Sequence, residues 1–154
     1  MPVPITINQA VAEIEKADSR IRPVIRRTYL EPSAYYSRLA GANVFFKCEN
    51  LQHTGSFKAR GALNKVLSLT EAERAGSVVG ASTGNHGAAV AFAAGRVETT
   101  ALIFVPHSAS PSKLAAIERL GGRVRAHGSD SVEAEAYARA YAAEHALAFV
   151  SPYN

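Results

Sequence analysis

Two kinds of hydrophobic pattern divide the chain. From Ser77 onward, short continuous apolar runs alternate with longer helical stretches. Ser77–Ala81, Ala101–Val105, Arg123–Ala126 and Leu147–Val150 read as four strands, the third weakened by its two arginines. Asn85–Ala94 is an alanine-rich helix that follows the first strand. Ser110-Pro111 opens the next helix with proline in its first turn, and Gly121-Gly122 closes it. Asp130 or Ser131 caps a long helix to about His145. Four short strands separated by helices predict right-handed βαβ crossovers and a doubly wound, four-stranded parallel sheet.

The pattern before Ser77 differs. Thr6 and Gln9 have capping-box spacing, and Ile7, Val11 and Ile14 give a helical stripe to about Ala17 that Arg22-Pro23 ends. Arg27–Pro32 reads as a loop or short strand, Ser33 caps a short helix closed by Gly41, and Val44–Glu49 reads as a strand. After a bend at Gly55, with Ser56 in capping position, a helical run extends through Leu67. These are too few elements for an independent core at usual domain sizes. The expected organisation is α/β throughout. Residues 1–70 form the amino-terminal segment of a second, larger α/β domain, 71–151 the small α/β domain, and 152–154 the start of a return to the larger one. A cut through a longer protein would have this layout.

Composition narrows the function classes. Of 154 residues, 47% are hydrophobic and 19% charged, which suits one globular domain or one domain plus part of a second. The net charge of +4 is scattered; Arg20, Arg22, Arg26 and Arg27 form the one dense group. No aromatic residues interleave with it, so a solvated surface or oligomer contact is expected, with no nucleic-acid partner. The single Cys48 cannot form an internal disulfide; it fits a reducing cytosol and reads as a small hydrophobe in a strand. Met1–Pro4 lacks the basic start and apolar core of a signal peptide, and no apolar run is long enough to span a membrane. A cytoplasmic location is expected. His53, His86, His107, His127 and His145 show no metal-ligand spacing, so no metal is expected.

Two stretches carry candidate chemistry. In Thr54-Gly55-Ser56-Phe57-Lys58-Ala59-Arg60-Gly61-Ala62, a lysine falls in the first turn of a helix, within the positive end of its macrodipole. That setting suits an amine nucleophile of the kind that forms Schiff bases. Taken alone, such a lysine is more often a solvated surface residue. Ala81-Ser82-Thr83-Gly84-Asn85-His86-Gly87 lies at a strand's carboxyl end and a helix's start, where ligands bind in open parallel sheets. Its N–H groups and two hydroxyls suit a carboxylate or phosphate, or simply cap the turn. It is neither GxGxxG nor a Walker loop. His86 by itself reads as a capping or packing residue.

Together the two stretches resemble a family. Leu51–Ala62 resembles the cofactor-lysine motif of fold-type II pyridoxal-phosphate enzymes, with closest likeness to the threonine/serine dehydratase and serine racemase group. Ser82–Gly87 resembles the group's second motif, and Ser112-Lys113 and Ser151-Pro152-Tyr153-Asn154 resemble further family positions. The likeness runs from about Ile21 onward. Tyr29, where the family commonly has proline, and Gly95–Thr100, lacking a common glycine, are local variations.

The resemblance implies a tryptophan synthase β-like fold with pyridoxal 5'-phosphate as cofactor. It implies that Lys58 holds the cofactor as a Schiff base and then acts as base at the substrate α-carbon. Phe57 would lie beside the cofactor, and Asn85 would hydrogen-bond its 3-hydroxyl. Ser82, Thr83, Gly84, Asn85 and His86 would surround the substrate carboxylate. The implied reaction is dehydration and deamination of L-threonine or L-serine to a 2-keto acid and ammonia, by a homodimer when complete. Serine racemase, another β-eliminating or β-replacing enzyme, and a truncated non-catalytic module stay open. The family's phosphate-binding glycine loop and its partner for the pyridine nitrogen have no counterpart in these residues. The chain alone is therefore expected to be inactive.

Overall fold

The computed structural model describes residues 5–153. The readings placed on Met1–Pro4 and on Asn154 lie outside the described residues. Helix α1 (Ile7–Ile21) begins at Thr6, whose hydroxyl accepts from the Gln9 N–H at 3.3 Å. The Gln9 side chain accepts from the Thr6 N–H at 2.9 Å, completing the capping box. The helix runs about a turn past the expected end, to the residue before Arg22-Pro23. Its stripe of Ile7, Val11 and Ile14 is exposed, and of this helix only Ile21 is buried.

Strand β1 (Leu30–Pro32) is followed by helix α2 (Ala34–Ala40), which Ser33 caps and Gly41 closes in the left-handed region. β1 then pairs antiparallel with β2 (Phe45–Lys47), Leu30 opposite Lys47. All six strand residues are exposed. β2 is shorter than expected because Glu49 leaves the strand in a 3-10 turn (Glu49–Leu51) to meet Thr28 and Arg60. Helix α3 (Lys58–Ser68) comes next. An unexpected single-turn helix, α4 (Glu71–Arg74), follows with its own capping box between Thr70 and Glu73.

The remaining elements match their expected order and boundaries to within a residue or so. They are β3 (Ser77–Ala81), α5 (Asn85–Gly95), β4 (Thr100–Val105), α6 (Pro111–Arg119), β5 (Arg123–Ala126), α7 (Ser131–Glu144) and β6 (Ala148–Phe149). The four strands are all parallel, in spatial order β5-β4-β3-β6. Side chains alternate between two cores, as strand geometry requires. Val78, Ala101, Ile103 and Val105 join a large core with α3, α5 and Ile117 of α6. Val79, Leu102 and Phe104 join a smaller core with Ala138 and Ala142 of α7. Helix α5 is buried almost throughout because it lies between the sheet and α3, and alanines let these layers approach.

The strand order places the site. The chain steps from β3 through β4 to β5 on one side, and then returns to lay β6 against the other side of β3. Connections leaving in opposite directions from neighbouring strands open a crevice at the strands' carboxyl ends.

Candidate active site

One wall of the crevice is the start of α3. Gly55, at φ +73°, makes the bend before it, a conformation glycine adopts without penalty. The capping residue is Phe57 and not Ser56. Ser56 instead turns inward, 7% exposed, and its hydroxyl accepts from the Lys58 N–H at 3.3 Å. Lys58 is thus the first residue of α3, at its positive end. Its Nζ donates to the Pro152 carbonyl at 2.9 Å and lies 5.6 Å from the centre of the Phe57 ring.

Arg60 anchors this turn. Its Nε and one terminal nitrogen reach Glu49 Oε2 and Oε1 at 2.9 and 2.7 Å, a bidentate pair. The Arg60 bond holds the Glu49 carboxyl below its usual range against the opposing effect of burial, and the Thr28 hydroxyl adds to it. The pair ties α3 to the segment that follows β2.

The opposite wall is the β3–α5 turn. The Ser82 N–H extends the sheet by donating to the Phe104 carbonyl at 3.2 Å, and its hydroxyl accepts from the Gly84 N–H at 3.1 Å. Gly84 stands at the cap of α5, and among the described residues no side chain accepts from the N–H groups of that first turn. At Gly87, an added Cβ would come within 2.5 Å of the Ser82 carbonyl oxygen and 2.9 Å of Ile117 Cδ1. Glycine there lets the helix start close against the turn.

Between the walls lies a cavity of about 360 Å³. It brings together Lys58, Ser82, Thr83, Asn85 and His86 with Ser131 and Glu135 of α7, Pro152 and Tyr153. Gly84 is not among the residues that line it. Phe57 borders a second cavity of about 140 Å³ that meets the first at Lys58, His86 and Pro152. Asn85 is exposed, and among the described residues its side chain makes no hydrogen bond.

Sequence reasoning did not find Ser131, Glu135 or the backbone of Pro152. Glu135 takes two bonds from Arg139, at 2.7 and 3.1 Å, and Arg139 reaches the Ser151 hydroxyl at 3.3 Å. The i,i+4 spacing of Glu135 and Arg139 was a readable sign of the pair, but not of what it faces. His86 is 6% exposed, and its Nε2 lies 2.9 Å from the Val150 carbonyl oxygen. Burial depresses its pKa and the nearby Lys58 charge adds to that, while the Val150 carbonyl and Glu135 oppose them.

The sequence's dense arginine group lies elsewhere. Arg22, Arg26 and Arg27 line a cavity of about 540 Å³ with Asp18, Lys47 and Arg60. Four of these cations already have acceptors: Arg22 has Asp18, Arg26 the Leu51 carbonyl, Lys47 the Thr28 carbonyl and Arg60 Glu49. Among the described residues, no three His, Cys, Asp or Glu side chains gather as metal ligands. No helix of these residues is long and apolar enough to cross a membrane.

Residues 21–154 match the pyridoxal-phosphate dependent enzyme family. The chain belongs to that family. An L-threonine ammonia-lyase of Geobacter sulfurreducens is 40% identical over 141 residues, which are 92% of this chain and 35% of the relative. Threonine deaminase isoform 2 of Solanum lycopersicum superposes with a TM-score of 0.88 at 29% identity, over 99% of this chain and 42% of that one. Maize serine racemase superposes with a TM-score of 0.84 at 32% identity, over 92% and 43%. The chain thus spans under half the length of the relatives it matches. The fold is that of the family's fold-type II members, and its cofactor is pyridoxal 5'-phosphate.

The residues present fit that cofactor in part. A primary amine, Lys58, and a primary amide free of side-chain bonds to the described residues, Asn85, share one cavity with an uncapped helix start.

Proposed function

We propose that the whole protein is a lyase that dehydrates and deaminates L-threonine or L-serine to a 2-keto acid and ammonia. The observation that carries this reading is the convergence of Lys58, Asn85 and the start of α5 on one cavity. Lys58 would hold the cofactor as a Schiff base, with Phe57 beside it and the Asn85 amide on its ring hydroxyl. When bound, the cofactor supplies an electron sink for the substrate α-carbon. Ser82, Thr83, Asn85 and His86 would surround the substrate carboxylate through hydroxyls and main-chain N–H groups, with Gly84 shaping the turn that presents them. That grip would orient the α-hydrogen toward the Lys58 amine, which would take up the proton once the substrate amine has displaced it from the cofactor.

Similarity to L-threonine ammonia-lyase supports a threonine substrate. Likeness to maize serine racemase supports a second reading, in which the same lysine serves proton exchange at the α-carbon without β-elimination. The proposal treats residues 1–70 as part of a large cofactor domain, 71–151 as the small domain, and the whole protein as a cytoplasmic homodimer. It makes this chain inactive on its own.

The test adds pyridoxal phosphate to the full-length protein and to this chain and records visible absorption. The full-length protein should gain a band that Lys58→Ala removes, and should release ammonia from L-threonine or L-serine. Absence of the band from the full-length protein would sink the proposal. A band with racemisation but no ammonia would favour the second reading.

A further inference from the structure

A polar side chain from each of three helices reaches Val150–Pro152. His86 of α5 lies 2.9 Å from the Val150 carbonyl oxygen, Lys58 of α3 donates to the Pro152 carbonyl at 2.9 Å, and Arg139 of α7 donates to the Ser151 hydroxyl at 3.3 Å. The Val150 N–H is itself held by the Val79 carbonyl at 2.8 Å, which continues the β3–β6 ladder.

This arrangement dictates what the His86 ring can do. A carbonyl oxygen only accepts, so Nε2 must carry the proton in that bond. A second proton on Nδ1 is opposed by burial and by the Lys58 charge, which together outweigh the Val150 carbonyl and Glu135 acting the other way. Nδ1 is then an acceptor, as is every oxygen of a carboxylate, and the two repel. The ring therefore has no donor left for a substrate carboxylate.

We propose that His86 is a positioning residue, whose Nε2–H fixes the Val150 carbonyl and so sets the Pro152 carbonyl on which the Lys58 amine rests. Carboxylate recognition falls to the main-chain N–H groups of α5 and the Ser82 and Thr83 hydroxyls. The inference rests on the reading of Lys58 given above.

Two variants of the full-length, cofactor-loaded protein test it. His86→Phe keeps a flat ring but removes the donor, and His86→Gln restores an N–H. The Phe variant should lose roughly 10–100-fold in kcat and shift the visible band, with KM for L-threonine within about threefold of the parent. The Gln variant should recover most of that loss. A rise in KM at unchanged kcat would instead make the ring a carboxylate ligand and overturn the proposal. Parental behaviour in both variants, or equal impairment in both, would overturn it too.

A measurement on the unmutated protein covers the case in which the Phe variant does not fold. In ¹⁵N-histidine NMR, the His86 ring should be the neutral Nε2–H tautomer. Its tautomer should be unchanged when L-alanine, which has the carboxylate but no β-leaving group, is added. An Nδ1–H tautomer, before or after L-alanine addition, would overturn the assignment. Failure to bind cofactor would sink the proposed function, while the tautomer in the cofactor-free protein would still decide the role of the ring.

Discussion

Isoleucine 103 and isoleucine 7 both sit in regular apolar patterns, yet the first is 0% exposed and the second 82%. Ile103 belongs to β4, which has α5 and α6 on one face and α7 on the other. Ile7 belongs to α1, whose stripe meets no core among the described residues. The same contrast separates the strands. The last five residues of β4 are buried, while Leu30, Phe45 and Phe46 of the β1–β2 pair are exposed. A periodic pattern reports that an element has an apolar face. It does not report that this chain supplies the opposing face.

The largest test of that contrast is a matched pair of truncations. Ile103→Ala should destabilise this chain by about 2–5 kcal/mol through lost transfer energy and a cavity. Ile7→Ala should stay within about 0.5 kcal/mol. Urea unfolding followed by circular dichroism measures both, and equal losses would erase the distinction.

A second pair compares two glycines. Gly87→Ala must move both the turn at Ser82 and the Ile117 side chain, and should cost about 1–3 kcal/mol. At Gly61, in the interior of α3, an added Cβ meets nothing within 4 Å, so Gly61→Ala should stabilise by about 0.5–1 kcal/mol. Thermal midpoints of the two variants should move in opposite directions.

The smallest effect is in pH. The folded-state value of His86 lies below the ordinary 6.5, so the unfolded chain takes up its proton first as pH falls. The contribution of His86 is complete above pH 6.5 and is lost as pH falls through the folded value. Glu49 acts lower, since its carboxyl is held beneath the ordinary 4.5, and its contribution is lost only below that pH. Melting curves between pH 7.5 and 5 should therefore lose part of their slope in His86→Gln. A slope equal to the parent's would reassign the effect.

These differences also explain what could be read in advance. β3 and β4 were legible because burial on both faces leaves a continuous apolar run. The start of α7 was legible because Asp130 accepts from the Val132 and Glu133 N–H groups, a purely local device. The capping box of α4 was equally local but spans a single turn, too short for periodicity to mark. Cap placement at α3 failed by one residue. Ser56 has the right chemistry, but burial draws it in and leaves Phe57 at the cap. β2 shortened because Glu49 answers to Arg60, eleven residues on, and not to its neighbours. Within the cavity, Lys58, Ser82, Thr83 and Asn85 were readable from their motifs. The partners of Lys58 and His86 are backbone carbonyls, and an acceptor common to every residue leaves no mark in the sequence.

The bond between Lys58 and Pro152 also has a consequence in time. At about 5–20 residues per second, a ribosome needs roughly 5–19 s to add the 94 residues that separate them. Once Ser68 is added α3 can form and the amine is present, but its resting acceptor has not been made. The nascent chain thus holds a ready lysine well before it holds the pocket that puts the lysine in place.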